Sequence, residues 1–132
     1  MLQTCHAWHY IHVQIRGYNT MSNTTQASIN NLQQIKKYTL LVGLNDKDTK
    51  KQVIPTRKAK KIIMSIVGDC TISNATGFYT HDDGSKVVEK SLRIELLFKA
   101  DNEIISYCKQ LKKELNQESI ALSASYENSM LV

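Results

Sequence analysis

The residues best suited to chemistry fall in one stretch, "TGFYTHDDGSKVVEKSLRIEL", Thr76 to Leu96, which holds Tyr79, His81, Asp82, Asp83, Glu89, Ser91 and Arg93. A histidine beside carboxylates can ligate a metal, and a carboxylate near an arginine or a phenol can bind a ligand or move a proton. Asp83-Gly84 lies between two β-like runs, and D-G there predicts a type I′ hairpin turn, because both central residues of such a turn need positive φ. His81 and Asp82 then decorate a bend. No third, distant ligand accompanies them, so a metal site is not expected. Glu89, Ser91 and Arg93 recur at every second position, on the face opposite Leu92 and Ile94. With Tyr79 they could floor a pocket on a sheet face, or form a solvated face with cross-strand ion pairs. A general acid or base would need a buried carboxylate with a partner in a cleft. The sequence shows none directly, so no catalytic residue is assigned.

Two other clusters compete. Lys47, Lys50, Lys51, Arg57, Lys58, Lys60 and Lys61 gather around the start of a helical pattern. Cations there oppose the helix dipole by a few tenths of a kcal/mol each, roughly, unless an anion is bound. Lys50, Lys51, Arg57, Lys58 and Lys61 are therefore the candidate anion- or partner-binding residues, against the plainer reading of a wetted helix face. Near the amino terminus, Cys5, His6, His9 and His12 lie close together but match no established ligand spacing. Met21 offers an alternative start, in which case those histidines would lie outside the functional protein.

These residues need elements to position them. "YTLLVGL" alternates Tyr38, Leu40, Val42 and Leu44 on one face and predicts a strand. "IPTRKAKKIIMSIVGD" predicts a helix capped by Thr56, with Ala59, Ile62, Ile63, Ile66 and Val67 on one side and Gly68 as its stop. "CTISNATGFYT" and "KVVEKSLRIELLF" predict a hairpin. "DNEIISYCKQLKKEL" predicts a second helix capped by Asp101, with Ile104, Cys108, Leu111 and Leu115 as its core stripe. "SIALSASY" predicts the last strand, with Ile120, Leu122, Ala124 and Tyr126 on one face. The order β-α-β-β-α-β is the split β-α-β plan: an α+β, ferredoxin-like sandwich of a four-stranded antiparallel sheet with two helices on one face. Its open face and edge strands make a homodimer an expectation.

Composition bounds the rest. With 132 residues the chain can bury a core without metals or disulfides. Residues 1–35 contain one charged side chain, Arg16, and read as a low-charge tail; residues 36–126 form the domain and 127–132 a short carboxy-terminal tail. Three scattered cysteines suggest neither a disulfide framework nor a zinc site and suit a reducing, cytoplasmic setting. No apolar run approaches the roughly 20 residues of a membrane helix, and no secretory leader is evident. The net charge of +5 favours an acidic partner, whether nucleic acid, nucleotide or protein, without the dense stripe of a committed nucleic-acid binder.

Gly77, Tyr79, Asp83-Gly84, Glu89 and Ser91, followed by "NQES" at Asn116 to Ser119, form a pattern that resembles small ferredoxin-like families of bacteria, phages and mobile elements. The resemblance covers Tyr38 to Leu122 and implies a domain with no established catalytic role. Its recurring positions are Gly77, Glu89, Ser91, Gln117 and Glu118, which makes Glu89 and Glu118 the carboxylates of first interest. No enzyme motif is readable and no cofactor is expected. The leading expectation is a non-enzymatic binding module of a phage or mobile element, a regulator or inhibitor of a host nucleic-acid or defence system acting through its basic surface. The alternatives are a dimeric small-molecule binder or enzyme using a pocket of Tyr79, Glu89, Ser91, Arg93 and Glu118, and a structural subunit.

Overall fold

In the computed structural model of the protein, which describes residues 32–80 and 82–132, the expected order holds throughout. The elements are β1 (Gln33–Gly43), α1 (Thr56–Val67), β2 (Thr71–Thr80), β3 (Lys86–Leu97), α2 (Asp101–Glu114) and β4 (Ala121–Ser129). The four strands form one antiparallel sheet in the order β2-β3-β1-β4, so the fold is the ferredoxin-like α+β sandwich. No helix among the described residues is long and apolar enough to cross a membrane.

Period 2 in the strands sorts the side chains. Tyr38, Leu40 and Val42 of β1 and Leu92, Ile94 and Leu96 of β3 are buried on one face. Ala59, Ile63 and Val67 of α1, together with Ile104 and Leu111 of α2 and Leu115 just beyond it, close over them. Each buried Val, Leu or Ile side chain contributes roughly 1.5–3 kcal/mol by leaving water. With all the helices on that side, the polar residues between the core positions are left on the open face. Lys37 and Thr39 of β1 alternate there with Glu95 and Arg93 of β3.

Several local expectations are corrected. Thr56 is the first residue of α1 and not its cap; Pro55 precedes it, and the Thr56 hydroxyl accepts a hydrogen bond from the Gln52 amide. Asp101 likewise opens α2 behind Ala100, and its carboxylate accepts from Lys36 Nζ and the Tyr38 hydroxyl, so β1 ties this helix end to the sheet. Both partners hold the Asp101 carboxyl below its ordinary range. Gly68 does stop α1, with φ 73° and its N–H bonded to the Met64 carbonyl. β1 begins at Gln33 and β4 runs to Ser129, with Gln33 to Ile35 paired to Glu127 to Ser129.

The hairpin turn also differs. Among the described residues of the turn only Gly84 has positive φ, at 85°, and Asp83 does not, so the bend is not type I′. It is a longer loop after Thr80, in which Asp83 Oδ1 accepts from both the N–H and the hydroxyl of Ser85. His81 and the Cys5, His6, His9 and His12 cluster lie outside the described residues, as does Met21.

Candidate functional site

The antiparallel register of β2 against β3 sets Gly77 opposite Glu89 and Ala75 opposite Ser91, and that of β1 against β3 sets Gly43 opposite Ser91. Glu89 is thus flanked by strand positions that carry no side chain. A Cβ placed on Gly43 would come within 2.4 Å of Glu89 Oε1, and one on Gly77 would meet Ser91 Oγ at 3.2 Å. Glycine in a strand marks a place where something approaches the backbone closely, and here the Glu89 side chain does so.

Two loops raise walls around this floor. The β1–α1 loop turns at Asp46, whose Oδ1 accepts the N–H groups of Asp48 and Thr49, and returns through Lys50 at φ 61°. The loop after α2 meets it. Asn116, in the left-handed conformation that Asn tolerates at a helix end, donates its amide to Asp46 Oδ2 and Asp48 Oδ2 and accepts the Lys47 N–H. The Asn116 amide and the two backbone donors hold the Asp46 carboxyl below its ordinary range.

The result is a cleft of about 550 Å³ on the open sheet face. Glu89, half-buried at its floor, accepts the Asn45 N–H at 3.1 Å. Tyr79 joins it from β2. Partial burial raises the Tyr79 phenol above its ordinary pKa, helped by the Glu89 charge and a hydrogen bond between the two side chains, so the phenol stays a neutral donor. Ser91 and Arg93 continue along β3, Lys47 and Lys50 stand on one loop and Glu118 on the other. The site therefore offers the Glu89 carboxylate held at its floor, the hydroxyls of Tyr79 and Ser91 beside it, and flanking cations next to apolar patches from Leu41, Ala75 and Val87.

The structure brings Tyr79, Glu89, Ser91, Arg93 and Glu118 together around this cleft. It divides the basic cluster. Lys50 reaches the cleft, whereas Lys51, Arg57, Lys58 and Lys61 are exposed and outside it. Asn45, Asn116 and Gln117 also shape the site; the family-like pattern included Asn116 and Gln117, whereas nothing in the sequence marked Asn45, which acts through its backbone N–H and carbonyl. Gly43, a glycine within a strand, was the available signal for the close approach of the Glu89 side chain.

No protein-family model matches the chain, and no curated protein matches it. Among solved structures, a phage SAM lyase in its apo state has TM-score 0.58 and 18% identity, covering 84% of this chain and 92% of that one. A phage SAM lyase in complex with S-methyl-5'-thioadenosine has TM-score 0.54 and 21% identity, covering 73% and 84%. At these identities the likeness is one of fold.

Proposed function

We propose that the sheet-face cleft binds an S-adenosyl compound and that the chain is a small lyase acting on S-adenosylmethionine. The observation that carries this reading is the cleft itself, with Glu89 held at its floor by the Asn45 N–H and Tyr79. The fold shared with a phage SAM lyase that binds S-methyl-5'-thioadenosine supports it. The reading departs from the non-enzymatic module that the sequence favoured and takes up the pocket alternative.

The chemistry suits so modest a site. Cleaving S-adenosylmethionine to S-methyl-5'-thioadenosine moves the carbon–sulfur bonding pair onto sulfur and cancels the sulfonium charge. In a lyase the carbon left behind is satisfied from within its own four-carbon fragment, without water. The protein then needs to bind and orient its ligand more than to supply reactive groups. A carboxylate against the sulfonium would stabilise the ground state more than the transition state and slow the reaction. Glu89 is therefore assigned to the ligand's ribose hydroxyl groups, which S-methyl-5'-thioadenosine retains. The apolar patch of Leu41, Ala75 and Val87 suits the sulfur, and Arg93, Lys47 or Lys50 the carboxylate.

Calorimetry with S-methyl-5'-thioadenosine tests the binding half. The wild type binds, and Glu89→Gln binds about tenfold or more weakly, as expected when a hydrogen bond to a charged group is lost. Wild-type protein without measurable affinity, or equal affinity in the variant, contradicts the reading.

A second reading rests on a different observation. Lys51, Arg57, Lys58 and Lys61 are exposed, α1 has no acidic residue in its first turn, and none of the four forms an ion pair among the described residues. That surface suits an acidic partner of a regulatory module.

A further inference from the structure

Gln117 is the only buried polar residue among the described ones, 8% exposed. A buried amide must find partners, and these are specific. Its Nε2 donates to the Asn45 carbonyl at 2.9 Å and to the Leu115 carbonyl at 3.1 Å. Its own N–H closes the end of α2 on the Lys112 carbonyl. The Gln117 backbone is thus fixed by the helix, and its side chain reaches across to the β1–α1 loop.

What it reaches matters for the cleft. Asn45 is held from both sides: its carbonyl takes the Gln117 amide, and its N–H is donated to Glu89 Oε2. Just before it, the Leu44 N–H still bonds the Lys90 carbonyl, so Asn45 is where β1 leaves the sheet and its N–H becomes available to a side chain. With both flanking peptides bonded, the direction of that N–H is set. A carboxylate lying over Gly43 with no neighbouring Cβ has room to swing, and the Asn45 N–H is what anchors it there.

We propose that Gln117 is a positioning residue of the cleft: by holding the Asn45 carbonyl it keeps the Asn45 N–H aimed at Glu89 and so sets where that carboxylate meets a ligand. The role rests on the reading of the cleft as the ligand site, but the hydrogen-bond relay can be measured without a ligand. In the wild type the Asn45 amide proton resonates downfield and is protected from exchange, as a donor to a carboxylate. In Gln117→Leu it moves upfield and exchanges about tenfold faster, the scale expected for one charge-assisted hydrogen bond. The Leu40 and Ile94 amides of the core keep their protection. Gln117→Glu, near-isosteric but with an acceptor in place of the donor, gives the same result and decides the matter should the leucine variant not fold.

An Asn45 amide unchanged in both variants overturns the proposal. Core amides that lose protection together with Asn45 in both overturn it as well, because Gln117 would then be merely structural. S-methyl-5'-thioadenosine added to the same samples binds more weakly in the variants, and equal affinity removes the positioning role. A wild type that fails to bind that nucleoside defeats the ligand reading alone, and the amide signals still decide whether Gln117 holds Asn45.

Discussion

Glu89 lies across the sheet because its neighbours on β1 and β2 are glycines, and this makes Gly43 a residue whose replacement separates function from stability. The atom a new Cβ would strike is the carboxylate end of a flexible side chain, which can swing aside. Gly43→Ala should therefore change unfolding free energy by less than about 1 kcal/mol, since alanine itself suits a strand no worse than glycine. The same variant should bind S-methyl-5'-thioadenosine about tenfold more weakly, the displaced carboxylate losing its hydrogen bonds. Denaturant melts and calorimetry on one preparation check both halves; a large loss of stability, or unchanged affinity, contradicts the geometry. At this scale the sequence was legible where a side chain repeats on a strand, as with Glu89, Ser91 and Arg93. It was silent on Asn45, whose contribution is a backbone N–H.

At the scale of elements, the helices and strands followed from periodicity, and their ends did not. Thr56 and Asp101 have the side chains of caps, yet a local partner, Gln52, takes the first oxygen and distant ones, Lys36 with Tyr38, take the second. The two loops that wall the cleft were legible as a basic run and as the "NQES" segment, but not as a pair, since their clasp joins residues about seventy positions apart in sequence, such as Asn116 and Asp46. The clasp has a defined response to acid. The folded protein holds Asp46 below its ordinary value of 3.8, so the clasp's contribution is complete above that value and is lost as pH falls through the lower, folded one. After correction for intrinsic rates, exchange of the Asp48 and Thr49 amides should be flat from about pH 7 to about pH 5 and accelerate only in stronger acid. Asn116→Ala should shift that onset to higher pH. Exchange that accelerates already near neutrality, or an unmoved onset in the variant, would remove the clasp from the account.

For the molecule as a whole, the fold separates two surfaces that the sequence could only place side by side. The open sheet face carries the cleft, and the exposed side of α1 carries Arg57, Lys58 and Lys61. Composition gave the net charge of +5 but not its division between a ligand site and a free basic surface, because of the clustered cations only Lys47 and Lys50 line the cleft, while Lys51 on the same loop and Arg57, Lys58 and Lys61 on α1 lie outside it. Reversing Lys58 and Lys61 to Glu should leave S-methyl-5'-thioadenosine affinity within about twofold, as exposed charges act weakly across a screened distance. Any salt-dependent binding to nucleic acid should weaken in that variant, and retention shifts, read by calorimetry and by gel mobility, distinguish the two surfaces. The most direct test of the central claim is turnover. Incubated with S-adenosylmethionine, the wild-type protein is predicted to release S-methyl-5'-thioadenosine, followed by chromatography, and Glu89→Gln to release it at least about tenfold more slowly. Release by the wild type no faster than in buffer alone would contradict the account.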